Sequence, residues 1–126
     1  MKTSGNKPKL FSIVEEPIDL NQLTVMVTRP NIGGICIFTG VVRGITLLGE
    51  KNLITDHLVY EAYAPMAEQK LQQIAVEIKR HFPKVKQVAI VQRIGNLEIG
   101  AIAVAIACSA GHRSDDIFPA AKYGIN

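Results

Sequence analysis

Residues 99–110 read IGAIAVAIACSA. In this run, larger apolar side chains alternate with alanines, and the alternation predicts a β-strand over Ile99–Ser109 with one large-residue face and one small-residue face. Because both faces are apolar, the strand is predicted to be central and covered on both sides. The alanine face would let a helix or a second subunit approach closely. The run is too short to cross a membrane, which takes about 20 apolar residues.

The rest of the chain predicts the order β-α-β-β-α-β-β-α. Asp19 is a candidate helix N-cap, Gly40 indicates a bulge, and the spacing of Leu71, Ile74, Ala75, Ile78 and Phe82 is typical of an amphipathic helix. The other predicted segments are strands Phe11–Glu15, Gly34–Arg43, His57–Tyr63 and Val85–Ile94, a loop Gly44–Thr55, a turn Gly95–Asn96, helices ending before Pro30 and at Pro83, and a final helix from Arg113 capped by Ser114 or Asp115.

This order favours an α+β fold, in which helices pack on one side of a mostly antiparallel or mixed sheet. Residues 10–126 are predicted to form a single domain. Residues 1–9 are polar and lysine-containing, without the apolar segment of a signal peptide, and are predicted to be a flexible leader.

Composition excludes several classes of function. The 126 residues are 48% hydrophobic and 20% charged, with a net charge of +3 and no Trp, which does not favour a nucleic-acid surface. No membrane segment, P-loop or dinucleotide-binding motif is present. Cys36 and Cys108 lie in apolar surroundings without a CxxC pair, so we expect buried free thiols, a cytoplasmic protein and neither a metal nor a cofactor.

Three stretches could carry chemistry. Arg43 ends an apolar strand before a glycine, where its guanidinium could hold an anion or simply be solvated. His112 and Arg113 precede the final helix, a position that attracts anions, and a basic pair there is otherwise unfavourable for the helix. Glu61 and Glu68 could form an acid–base pair, although ordinary structural roles explain them better. We interpret the remaining histidines, His57 and His81, as surface or structurally satisfied residues.

Four motifs follow one another along the chain, and together they resemble the large, catalytic subunit of molybdopterin synthase, the MoaE family. The resemblance covers about Leu10 to Asn126, and the motifs are Phe38-Thr39-Gly40 with Val42-Arg43, Tyr60-Glu61-Ala62-Tyr63 with Pro65-Met66-Ala67-Glu68, Arg93-Ile94-Gly95, and Ser109-Ala110-Gly111-His112-Arg113-Ser114.

The resemblance implies an α/β hammerhead fold and a sulfurtransferase of molybdenum cofactor biosynthesis. Members of this family convert cyclic pyranopterin monophosphate to molybdopterin by adding two sulfurs as a dithiolene. A small ubiquitin-like partner supplies the sulfur as a thiocarboxylate on its C-terminal glycine. The family assembles as a homodimer of large subunits with one small subunit at each end, a heterotetramer.

The resemblance also implies which residues bind the substrate. Val41, Val42 and Arg43 match the first binding stretch, in which a Lys more often stands at the position of Val41. His112 and Arg113 match the second binding pair and would reach the pocket of the neighbouring subunit. The guanidinium of an arginine and the imidazole of a histidine can hydrogen-bond to a cyclic phosphate and a polar pterin.

No catalytic residue is predicted within residues 1–126. The reactive lysines of the family stand late in the final helix and just after it, at positions beyond Asn126, and Lys122 is too early to replace them. We therefore expect a C-terminal part that these 126 residues do not contain. The alternative is a non-catalytic member of the fold that binds an anion or a partner; a small nucleic-acid-binding domain is a more remote one.

Overall fold

The computed structural model describes residues 9–48, 51–54, 57–60 and 64–125. Residues 1–8 of the predicted leader, and Glu61–Tyr63 of the second motif, lie outside this description. In chain order the elements are β1 (Phe11–Val14), α1 (Leu20–Val27), β2 (Gly34–Val41), β3 (Ile45–Leu48), β4 (Lys51–Ile54), β5 (His57–Tyr60), α2 (Ala64–His81), β6 (Val85–Arg93), β7 (Gly95–Glu98), β8 (Ile102–Ala110) and α3 (Ile117–Ile125).

The main sheet has four strands in the order β1-β6-β8-β2. Strand β1 runs parallel to β6, whereas β8 is antiparallel to both of its neighbours. The prediction of an α+β fold with a mixed sheet is confirmed, and β8 lies inside the sheet as its two apolar faces require.

Helices cover both faces of the main sheet. Ile106 and Cys108 of β8 are fully buried in the cluster that contains residues of α2 and α3. Ala105 and Ala107 pack on the opposite face with Leu23 of α1. The prediction of helices on one side is therefore wrong, because the alanine face is shallow enough for the short helix α1 to lie directly on it.

Local signals place the first two helices. The Asp19 carboxylate accepts hydrogen bonds from the N–H groups of Asn21 (3.0 Å) and Gln22 (3.3 Å), so this residue caps α1 as predicted. In α2 the apolar stripe turns inward, and its members Leu71, Ala75 and Ile78 are buried.

Segment Gly44–Thr55, predicted as a loop, contains a hairpin. Strands β3 and β4 pair antiparallel, with Ile45 opposite Ile54 and Leu48 opposite Lys51. Two residues separate these strands in the sequence, the usual spacing of a tight hairpin. The prediction of a loop is wrong because each of these four-residue strands forms its backbone hydrogen bonds along one edge with the other strand.

The prediction of a turn at Gly95–Asn96 is also wrong. Both residues begin β7, which pairs antiparallel with β5, and Gly95 has a φ of +98°. The chain turns instead at Ile99–Gly100, where Gly100 has a φ of +86°. A glycine permits a turn at either place, and pairing with β5 selects the second.

The final helix begins at Ile117 and not at Arg113. Residues 112–115 form a turn, in which the Asp115 N–H donates to the His112 carbonyl at 3.0 Å, and Asp116 follows with a φ of +65°. The predicted cap positions, Ser114 and Asp115, therefore belong to this turn. His and Ser side chains that bond to nearby backbone compete with helix formation here.

Candidate functional site

The turn after β8 holds the predicted pair His112 and Arg113. The Ser114 N–H donates to Nδ1 of His112 at 3.2 Å, and Ser114 Oγ lies 2.6 Å from the same nitrogen. With the backbone bond from Asp115 to His112, these contacts fix both the ring and the main chain. Because α3 starts only at Ile117, its N-terminus does not lie at His112 and Arg113, and the groups that the turn offers to an anion are the side chains of these two residues.

Two glycines form the seat on which this turn rests. The Gly33 N–H donates to the Ala110 carbonyl at 2.9 Å. A Cβ atom on Gly33 would lie 2.5 Å from the Gly111 carbonyl oxygen, and one on Gly34 would lie 2.5 Å from Arg113 Cα. Both distances are far below van der Waals contact, so the turn can adopt this position only above two residues without side chains.

Arg113 and His112 are exposed above this seat. Within the described part of the chain, no carboxylate lies within ion-pair distance of Arg113. Its five N–H donors are therefore available to an anionic group, for which an arginine fork is well suited.

The stretch Val41–Arg43 leaves the opposite end of β2. The ladder with β8 shifts register between Gly40 and Val41, which confirms the predicted bulge. Val42 follows, with its side chain only 3% exposed, its N–H bonded to the Ala101 carbonyl (3.0 Å) and its carbonyl bonded to the Gly100 N–H (2.8 Å). Val42 thus anchors the backbone, so that Val41 (50% exposed) and the exposed Arg43 project outward.

A cavity of about 90 Å³ lies near this end of the sheet, lined by Gln92, Arg93, Ala103 and Val104. Val104 stands opposite both Gly40 and Gln92 in the two ladders, which places the cavity beside the bulge. Arg93 stands in one of the four motifs, and the sequence predicts no role for it. Arg93 Nε donates to the Glu15 carbonyl at 3.0 Å, so the side chain is held in place at the cavity wall.

Within one chain, the two predicted binding stretches are far apart. Gly34 pairs with Ala110 at one end of the β2–β8 ladder, and Val41 pairs with Ile102 at the other. Seven residue steps separate these pairs along β2, or roughly 23 Å of extended strand. A single chain therefore does not bring Arg43 to the His112–Arg113 turn.

The two cysteines are cross-strand partners, with Cys36 opposite Cys108 in the β2–β8 register, and both thiols are free. Cys108 is fully buried as predicted, whereas Cys36 is half-buried. Burial raises the pKa of Cys108 to about 12, with a further contribution from Cys36, and burial also raises the pKa of Cys36. Because the thiolate is the reactive form, the fully buried Cys108 is poorly suited to act as a sulfur nucleophile.

Other candidates have ordinary surroundings. Glu68 lies 3.8 Å from Lys9 Nζ in an exposed ion pair, and His81 packs against Tyr123 with ring centroids 5.0 Å apart. Only the backbone of His57 is described, as part of β5. No group of three or more His, Cys, Asp or Glu side chains suitable for a metal ion occurs in residues 9–48, 51–54, 57–60 and 64–125.

None of the helices in those residues is long and apolar enough to span a membrane.

Comparison with known proteins gives consistent matches. The family model described as "MoaE protein" matches residues 13–126. A protein of Halalkalibacterium halodurans named molybdopterin synthase catalytic subunit is 45% identical over 117 residues, covering 93% of this chain and 71% of that protein. One of the same name from Staphylococcus carnosus is 47% identical over 118 residues, covering 94% and 75%.

A solved structure is similar as well. The crystal structure of molybdopterin synthase from Staphylococcus aureus superposes with a TM-score of 0.83 at 43% identity, covering 94% of this chain and 82% of that chain. The described fold and the sequence matches therefore point to the same group of proteins.

Proposed function

We propose the following roles for residues of this chain, which belongs to the MoaE family, in the molybdopterin synthase reaction. The chain is an enzyme subunit, a sulfurtransferase of molybdenum cofactor biosynthesis. In our proposal its substrate is cyclic pyranopterin monophosphate. A small ubiquitin-like subunit brings the sulfur as a C-terminal thiocarboxylate, and the reaction takes place in the cytoplasm.

The anchored His112–Arg113 turn is the observation that carries this proposal. Three hydrogen bonds and a two-glycine seat hold the turn, and both side chains remain exposed above it. Such an arrangement reduces the conformational entropy that the site loses when it orders around an anion. Arg113 would take the phosphate, and His112 would hydrogen-bond a polar atom of the same ligand.

Arg43 would complete the site from a second copy of the chain. The roughly 23 Å of strand between Arg43 and the turn exceeds the reach of one substrate molecule within one subunit. Strand β2 lies at the edge of the sheet and carries exposed apolar residues, Phe38 (45%) and Val41 (50%). Edge strands of this kind are suited to pairing with another chain, which supports a homodimer with composite sites. In our proposal a small subunit binds at each end of this dimer.

In our proposal the sulfur does not pass through Cys108, because its thiol is fully buried. No residue within 1–126 is assigned the role of the family's reactive lysines. The names of the curated relatives support the enzyme over the non-catalytic alternative.

Replacing Arg113 by alanine should weaken precursor binding by about 1.5–3 kcal/mol, the amount expected for a lost charge-assisted hydrogen bond. Isothermal titration calorimetry with the cyclic monophosphate measures this change. Arg80→Ala, at an exposed position of α2, is the matched control and should leave the affinity unchanged. An Arg113→Ala variant with wild-type affinity would remove this residue from the site.

Mixed dimers test whether the site is composite. Arg43→Ala and Arg113→Ala homodimers should each bind poorly, since every site lacks one cation. Dissociating and reassociating an equal mixture should restore about a quarter of the wild-type sites, because half of the dimers are mixed and each has one intact site. A mixture that recovers no high-affinity binding would show that both arginines serve one site from the same chain, or that no shared site exists.

A further inference from the structure

The ring of His112 has two contacts on a single nitrogen. The Ser114 N–H donates to Nδ1 at 3.2 Å, and Ser114 Oγ lies 2.6 Å from the same atom. Both groups belong to one residue, two positions along the chain. The bond from the Asp115 N–H to the His112 carbonyl (3.0 Å) holds the intervening backbone.

These contacts select one tautomer of the imidazole. A backbone N–H can only donate, so its 3.2 Å contact favours an Nδ1 that presents its lone pair to Ser114. In a neutral imidazole one ring nitrogen donates and the other accepts, and the proton therefore resides on Nε2. The Ser114 hydroxyl makes the shorter contact (2.6 Å), and with its hydrogen directed at the Nδ1 lone pair it holds the tautomer that the longer backbone bond alone favours only weakly.

We propose that Ser114 is a positioning residue that holds His112 as an Nε2–H donor aimed out of the turn. This inference rests on the proposed function, in which His112 meets the pterin phosphate. His112 then donates a hydrogen bond to an acceptor oxygen of the substrate and does not take a proton from it at Nε2. Arg113, the next residue, supplies the charge, and the imidazole supplies a directed neutral donor.

The proposal explains the combination of residues in the turn. Alanine at position 114 would keep the backbone N–H but lose the hydroxyl that lies 2.6 Å from Nδ1. Threonine would keep both groups. Comparing Ser114→Ala with Ser114→Thr therefore distinguishes the effect of the hydroxyl group from the effect of any substitution at this exposed position.

Nitrogen-15 NMR of the histidine rings in the ligand-free protein tests the tautomer directly. The chain has three histidines, and a His112→Gln variant identifies the signals of His112 by their disappearance. In the wild type we expect a pyrrole-type Nε2 and a pyridine-type Nδ1. Ser114→Ala should give a mixture of tautomers, and Ser114→Thr should restore the wild-type pattern. A wild-type ring protonated at Nδ1, or an Ala variant identical to wild type, would overturn the proposal.

Precursor binding gives the second measurement. Ser114→Ala should raise the Kd for the cyclic monophosphate by about 3- to 10-fold, the effect of one weakened neutral hydrogen bond, and Ser114→Thr should return it to the wild-type value. If His112→Gln leaves the Kd unchanged, the proposed function fails at this residue, whatever the tautomer. If His112→Gln weakens binding while Ser114→Ala changes neither Kd nor tautomer, only the role of Ser114 fails.

Discussion

Gly34→Ala should abolish useful precursor binding and leave the fold intact. The new methyl group would lie 2.5 Å from Arg113 Cα and 2.9 Å from Arg113 N, both backbone atoms that no rotamer change can move. The turn must then shift by about 1 Å, and a displacement of that size in a binding group costs on the order of 100-fold. Calorimetric titration with the cyclic monophosphate measures the loss, and circular dichroism reports the fold.

Gly111→Ala, a glycine-to-alanine change two residues before Arg113, is the matched control. Its methyl group would lie 3.5 Å from the Asn31 carbonyl oxygen, an ordinary van der Waals distance. We expect this variant to bind within a few fold of wild type. Equal affinity for Gly34→Ala and wild type would mean that the His112–Arg113 turn does not depend on its glycine seat.

Ile106→Ala should have the largest effect on stability. Ile106 is fully buried at the centre of β8, within the core that also holds Ile78. Removing a buried isoleucine side chain down to Cβ costs about 2–5 kcal/mol from lost transfer free energy and the cavity left behind. Urea unfolding followed by circular dichroism gives the change in free energy of unfolding.

Gly124 of α3 provides a second arm for this test. A methyl group on Gly124 would overlap the Ile106 Cδ1 atom and lie 2.9 Å from Ile78 Cδ1. Alanine favours a helix over glycine by up to about 1 kcal/mol, but overpacking typically costs about 1–3 kcal/mol, so Gly124→Ala alone should destabilise. Once Ile106→Ala has removed the overlapping atom, Gly124→Ala should be neutral or stabilising. Additive effects of the two substitutions would contradict this packing of α3 on β8.

The elements predicted correctly are those whose signals are local. The Asp19 cap, the apolar stripe of α2 and the bulge at Gly40 each depend on residues within a few positions of one another. The alternation predicted over Ile99–Ser109 likewise required a strand covered on both sides, and the structure has this strand as β8, beginning three residues later. In each case the physical cause is a capping hydrogen bond or the spacing of buried side chains, and it acts between residues close together in the sequence.

The errors share a different cause. Strands β3, β4 and β7 exist because another strand lies beside them, and no residue within Gly95–Glu98 specifies β5 as its partner. The start of α3 was misplaced because the contacts between His112 and Ser114 keep residues 112–115 in a turn. Pairing partners and competing side-chain bonds depend on the assembled chain, and composition does not reveal them.

Residue order and local patterns alone predict the fold class, the central strand and, through four motifs, the MoaE family, and they single out Arg43, His112 and Arg113 as proposed binding residues. The tertiary structure alone decided their arrangement. The antiparallel register sets Gly34 against Ala110 and Val41 against Ile102, so the two binding stretches lie at opposite ends of one ladder. It also set Gly33 and Gly34 beneath the His112–Arg113 turn. Residue types carry chemistry, whereas distances between them depend on strand register, which is a property of two distant segments packed together.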